Sequence, residues 1–136
     1  MIEMELNKIV IDEKRHDQLI VLKEKNGERL LPIVIGLNEI AAIKTKISGF
    51  NPPRPITHDL LCSIIDSFGA TIEKILIDKL ENNIFHAKLF LKTDSGEVKV
   101  IDARPSDCIA LAVRARAPIF VEEAVLKQME IFNNGK

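Results

Sequence analysis

The period of hydrophobic and polar positions changes several times along the chain. Residues 4–11 alternate loosely and run into the polar stretch 12–17. Residues 18–25 are dominated by Leu19, Ile20, Val21 and Leu22 and meet Asn26-Gly27. That dipeptide tolerates positive φ and is a strong hairpin signal. Residues 29–35 are therefore the returning strand. Pro32 has no amide hydrogen to donate, which puts this strand at a sheet edge or at a bulge. After Gly36 the period lengthens: Ile40, Ile43 and Ile47 form a helical stripe across residues 38–48, flanked by Ala41 and Ala42, with Gly49 as a C-terminal cap.

Asn51-Pro52-Pro53-Arg54-Pro55 is a stiff, extended connection, because each proline excludes the helical region for the residue before it. Thr57 is the expected cap of the next helix. Leu60, Leu61, Ile64, Ile65 and Phe68 share one face of it, and His58, Asp59, Cys62, Ser63 and Asp66 fill the other. Gly69 ends that helix. Residues 71–80, 84–92 and 97–101 read as a three-stranded meander with turns at 81–83 and 94–96. Residues 105–116 form a helix apolar almost all the way round, hence a buried one. Pro118 stops it. Residues 119–121 are a short strand, 122–132 an amphipathic helix, and 133–136 a frayed tail.

Strands and helices partly segregate, with hairpin-linked strands in two groups. The expected fold is α+β, with a mixed or mainly antiparallel sheet and four helices, one of them buried. A length of 136 residues fits one domain spanning 1–136. Residues 1–5 lack the basic start and apolar run of a secretory signal, and no apolar stretch is long enough to span a membrane. The expectation is a cytoplasmic protein. A net charge of -1 argues against a general nucleic-acid binder, though a local basic patch is compatible with it. Six Phe and no Trp or Tyr give few stacking platforms. Cys62 and Cys108 form no metal or redox motif and read as reduced, half-buried thiols.

Chemistry concentrates in two short segments. In Arg54-Pro55-Ile56-Thr57-His58-Asp59 a rigid loop presents an arginine just before a helix N-terminus. Free amides and a partial positive charge there favour phosphate or carboxylate. His58 lies in the first turn, and an imidazole there could move a proton. Asp102-Ala103-Arg104-Pro105-Ser106-Asp107 repeats the logic, with Pro105 at the first helical position. Capping alone accounts for Thr57, Asp59 and Asp107 as well. If the segments converge, Arg54, Arg104 and Ser106 would bind a phosphodiester, and His58, Asp59 and Asp107 would be catalytic. Asp59, Asp107 and Glu39 could then hold a divalent ion, Mg²⁺ or Mn²⁺. His16 and His86 read as solvated, and Arg114 and Arg116 as a solvated or snorkelling face.

Three blocks together resemble the bifunctional nuclease family. They are Leu31-Pro32-Ile33-Val34-Ile35-Gly36 with Glu39 and Ala42-Ile43; Arg54-Pro55-Ile56-Thr57-His58-Asp59-Leu60; and Arg104-Pro105-Ser106-Asp107 with Ile109-Ala110-Leu111-Ala112 and Pro118-Ile119. The resemblance covers roughly residues 3–126. Ile40 and Cys108 stand where the family pattern has alanine. The resemblance implies a cytoplasmic, self-associating domain with DNase and RNase activity and DNA or RNA as substrate; it carries no agreed catalytic set. The site residues above come from the shared blocks and their chemistry. The alternative is a non-catalytic oligomeric module that binds an anionic ligand or a protein partner through the same groups. The edge strand marked by Pro32 and the apolar C-terminal helix are compatible with a homo-oligomer.

Overall fold

A computed structural model describes residues 1–12, 14 and 17–134. His16 lies outside the described residues. The elements are β1 (Ile2–Val10), β2 (Asp17–Glu24), β3 (Leu30–Gly36), α1 (Leu37–Ile47), α2 (Thr57–Ser67), β4 (Ala70–Glu81), β5 (Ile84–Thr93), β6 (Val98–Ala103), α3 (Pro105–Ala115), β7 (Ile119–Val121) and α4 (Glu123–Asn134). The strands form one mixed sheet in the order β3-β2-β1-β7-β4-β5-β6. Every pairing is antiparallel except β4 with β7. The short β7 thus joins two antiparallel groups, β1–β3 and β4–β6. The fold is α+β, as the segregation of periods predicts.

The local reasons are mostly those legible in the residues. Pro32 is in β3, which is an edge strand, so its missing amide hydrogen costs no interior ladder bond. β4 and β5 are joined by Asn82-Asn83, with φ of 52° and 63°. Two successive left-handed residues match the twist of a tight hairpin. Gly49 and Gly69 follow α1 and α2 at φ of 79° and 74°, where a side chain would be strained.

Several expectations are corrected. Asn26 and Gly27 do not adopt positive φ; the hairpin instead has a five-residue loop. It is closed by the Glu24 amide donating to the Arg29 carbonyl at 3.0 Å and by the Arg29 amide donating to Glu24 Oε1 at 2.9 Å. Arg29 also bridges to Glu123, at 2.9 Å from Nη2 to Oε1, and so ties α4 to this hairpin. Thr57 is the first helical residue of α2, and the cap position is Ile56. Ile56 has no side-chain acceptor, so the cap is one-sided: its amide donates to Asp59 Oδ2 at 3.1 Å. α4 continues to Asn134, further than expected, and residues 135–136 lie outside the described residues.

α3 carries a continuous buried run from Cys108 to Ala112. Ile109 and Leu111 pack with Ile75, Ile77, Ala87 and Leu89 of the sheet. Each fully buried residue of this size contributes about 1.5–3 kcal/mol. This packing fixes the N-terminus of α3, and with it Arg104 and Asp107, against the sheet.

α2 is oriented against its own amphipathicity. Leu60, Leu61, Ile64 and Phe68 are exposed, and Phe68 reaches 84%. Cys62, on the side expected to face solvent, packs on the core. The physical reason is that α2 meets α3 through polar groups.

Candidate functional site

The contact between α2 and α3 is built from His58, Asp59, Asp107 and Arg114. On α3, Asp107 and Arg114 stand two turns apart on the one polar stripe of an otherwise apolar helix. On α2, His58 and Asp59 occupy the first turn. His58 Nε2 lies 2.9 Å from Asp107 Oδ1, and Arg114 Nε donates to Asp59 Oδ1 at 2.7 Å. Satisfying both pairs turns the polar side of α2 inward, which leaves the apolar side outward.

The two pairs differ in kind. The Arg114 side chain is 5% exposed and spends its remaining donors on the carbonyls of Ala110 and Ala42, at 2.9 and 3.0 Å. It therefore stitches α1, α2 and α3 together and is no part of a solvated basic face. The Arg114 hydrogen bond, helped by the Ile56 amide, holds the Asp59 carboxyl below its usual range. Asp59 is committed to structure at both oxygens.

His58 and Asp107 keep spare capacity at a cleft. The His58 side chain is 13% exposed and that of Asp107 30%. In the neutral ring, a bond from Nε2 to a carboxylate puts the proton on Nε2 and leaves Nδ1 as the basic nitrogen. Asp107 also accepts from Arg104, at 2.9 Å from Nε to Oδ2 and 3.3 Å from Nη2 to Oδ1. Arg104 Nη1 reaches Glu39 Oε1 at 3.4 Å. The result is a chain Glu39–Arg104–Asp107–His58. Burial works to raise the Asp107 carboxyl, but its hydrogen bonds to Arg104 and His58 outweigh that and hold it below its ordinary value. Asp107 in turn pushes the Arg104 guanidinium up.

The elements explain this convergence. Arg104 is the cap residue of α3 in extended conformation (φ -72°, ψ 146°), and Pro105 follows inside the first turn, where its fixed φ suits the helix. Glu39 occupies the first turn of α1, where a carboxylate offsets the helix dipole. Two helix starts, α1 and α3, thus meet with Arg104 between their acidic residues.

Arg104 separates two clefts. One, of about 860 Å³, is lined by Thr57, His58, Leu61, Asp102, Asp107 and neighbours. The other, of about 690 Å³, is lined by Gly36, Glu39, Ser106 and a large apolar surface from β3, the β4–β5 turn and Met129. Ile84, Phe85 and Arg104 border both.

Of the residues singled out in the sequence, the fold brings together Glu39, His58, Arg104 and Asp107, with the buried Ser106 beside them. It does not bring Arg54 or Asp59 to them. Arg54 is exposed in the loop before α2 and borders neither cleft. Among the described residues, no three His, Cys, Asp or Glu side chains are grouped so as to hold a metal ion. Glu39 and Asp107 are instead linked through Arg104.

Sequence reasoning missed Phe85, a wall of both clefts. It also missed His86, which borders the His58 cleft and lies 4.0 Å from Glu81. Neither has a local signal, since each is one residue in an alternating strand.

Comparison with known proteins gives a consistent answer. The sequence pattern described as the bifunctional nuclease domain matches residues 20–134. An uncharacterized protein of Mycobacterium tuberculosis (strain H37Rv) is 42% identical over 120 residues, which cover 88% of this chain and 71% of that protein. Bifunctional nuclease 2 of rice is 31% identical over 118 residues, 85% of this chain and 36% of the rice protein. Bifunctional nuclease 1 of Arabidopsis thaliana is 29% identical over 122 residues, 86% of this chain and 38% of its own length. The chain thus spans little more than a third of these two plant relatives.

Proposed function

The chain belongs to the bifunctional nuclease domain family, and on that premise we propose that it hydrolyses phosphodiester bonds of DNA and RNA with little sequence preference. The observation that carries this reading is the shared carboxylate: Asp107 meets His58 through Oδ1 and accepts from Arg104 at both oxygens. A base, its orienting group and a phosphate-binding cation are then fixed relative to one another.

In this reading the bound phosphate takes a hydrogen bond from Arg104, which stabilises the charge of the crowded phosphorus. His58 Nδ1 takes a proton from a water molecule as its oxygen bonds to phosphorus. The bond from phosphorus to the leaving oxygen breaks, and that oxygen takes up a proton, from His58 or from solvent. Asp107 is not consumed; it holds the ring and stabilises the imidazolium that forms. The Ser106 hydroxyl binds substrate beside Arg104. Arg54 meets a more distant phosphate of the same strand. Asp59 keeps the start of α2 in place through Arg114 and contributes indirectly. A divalent ion such as Mg²⁺ or Mn²⁺, if the reaction uses one, would be held by Glu39 and Asp107 and would supply further stabilisation of the phosphate charge.

The test is cleavage of labelled single-stranded RNA and duplex DNA by the parent and by His58→Ala purified in parallel. Equal rates would remove the assignment.

A second reading, a non-catalytic oligomeric module that binds an anion or a protein partner, is favoured by the exposed apolar face of α2 and by the two carboxylates that neutralise Arg104. The two readings share one feature that we also propose: self-association through Leu60, Leu61, Ile64 and Phe68, an exposed apolar surface larger than scattered singles. A cytoplasmic setting suits the two free thiols, Cys62 and Cys108, both raised by burial, Cys108 to about 12. No helix among the described residues is long and apolar enough to cross a membrane.

A further inference from the structure

Apart from Glu39, Arg104 and Ser106, the lining of the cleft on the far side of Arg104 from His58 has no role in the chemistry above. Its wall is mostly apolar: Pro32, Ile33, Leu80, Phe85 and Met129 contribute, while Glu39, Asn83 and Ser106 supply polar atoms. We propose that this cleft holds one unpaired nucleobase of a single strand whose phosphate lies at Arg104. The proposal rests on the phosphodiester reading and narrows its substrate to single-stranded nucleic acid.

Three observations support it. First, the cleft is continuous with the site, since Arg104, Ile84 and Phe85 border both compartments. A strand crossing at Arg104 therefore delivers an adjacent base to the apolar side. Second, the chemistry of the wall suits a flat heterocycle. Phe85 and Pro32 offer apolar surfaces, and Asn83, Ser106 and Glu39 offer the donors and acceptors that a base edge needs. Asn83 is held in this turn by its left-handed φ of 63°. Third, charge is scarce. Arg104 is paired with Glu39 and Asp107, and the whole chain carries -1. Affinity for a polyanion then needs a contribution that is not electrostatic, and base burial supplies it. A duplex keeps its bases stacked and offers one only after unstacking it.

The test uses the full chain carrying His58→Ala, so that probes stay intact. Anisotropy at fixed salt compares a labelled single-stranded 12-mer, an abasic 12-mer of equal charge, and the matching duplex. The expected order is single strand tightest, with the abasic strand and the duplex each weaker by about tenfold or more, the scale of one stacked base. Phe85→Leu keeps the apolar volume and Asn83→Gly keeps the turn. Each should weaken the single strand several-fold and leave the abasic strand unchanged. The Met129 methyl resonance should move under the ring current of the base with the single strand and not with the abasic one.

Equal binding of base-bearing and abasic strands, or a still Met129 methyl, overturns the inference. A Met129 shift with a free mononucleotide but not with the strand overturns the strand assignment. The failures are separable: a parent that cleaves but shows no base dependence sinks only this inference. Base-dependent binding by a parent that cleaves nothing sinks the hydrolase reading.

Discussion

His58 on α2 and Asp107 on α3 are 49 residues apart in sequence and 2.9 Å apart in space, and their bond crosses the junction of two helix starts. It fixes the imidazole by its Nε2 and leaves Nδ1 basic. Asp107→Asn keeps the shape of this contact but not the charge, and the amide can donate to the ring as well as accept from it. Cleavage by this variant should fall by about 10²–10⁴-fold, the usual range for an acid–base group or its orienter. A purely structural Asp107 would leave the cleavage rate of the folded variant unchanged.

Arg114 is a scaffold residue. Its guanidinium is buried and bonded to Asp59, Ala110 and Ala42. Arg114→Met removes the charge and leaves Asp59 Oδ1 and two carbonyls without this donor. A destabilisation of about 2–4 kcal/mol is expected, read as the change in urea midpoint at constant slope. Arg116→Met should change the midpoint little, since that side chain is exposed.

Acid should weaken the fold through the same carboxylates. Asp59 and Asp107 are both held below their ordinary value of 3.8 in the folded chain. A lowered folded value means stability that is fully present above the unfolded carboxyl range and is lost as pH falls through the lowered folded values. Urea midpoints should be level from pH 7 to 5 and fall below about pH 4. Asp59→Asn should start lower and fall less steeply over that acidic window. A parent whose midpoint does not change on acidification contradicts the assignment.

Most elements were legible because their signals are local, whereas the strand order, with β7 between β1 and β4, was not. Pro32 marked an edge strand, the period change after Gly36 marked a helix, and the apolar run after Pro105 marked the buried one. The site was legible in part. Arg104, Asp107 and Glu39 stand at helix starts whose chemistry is visible in the chain, and His58 joins them. Arg54 and Asp59 carry the same local signal, yet Arg54 stays exposed and Asp59 is taken up by Arg114. The choice depends on which way α2 rolls. Its apolar stripe points to burial, but pairing Asp59 with Arg114 and His58 with Asp107 rolls that stripe outward. No periodicity encodes such a tertiary preference.

That outward stripe carries its own prediction. Ile64→Glu together with Phe68→Ser removes exposed apolar surface that lies outside the core cluster. Sedimentation should show the parent as an oligomer and the double variant as smaller, with little change in urea midpoint for the dissociated chain. A parent that sediments as a monomer across concentration contradicts the proposed self-association.

In the proposed reaction the His58 imidazole, held by Asp107, performs the proton transfer. The most direct test of this step is chemical rescue: His58→Gly assayed on a defined oligonucleotide with and without added imidazole. The expected result is a large loss of cleavage that free imidazole restores in a concentration-dependent, pH-dependent way, with no effect of imidazole on Asp107→Asn. Cleavage by His58→Gly at the parent's rate, indifferent to imidazole, would contradict it.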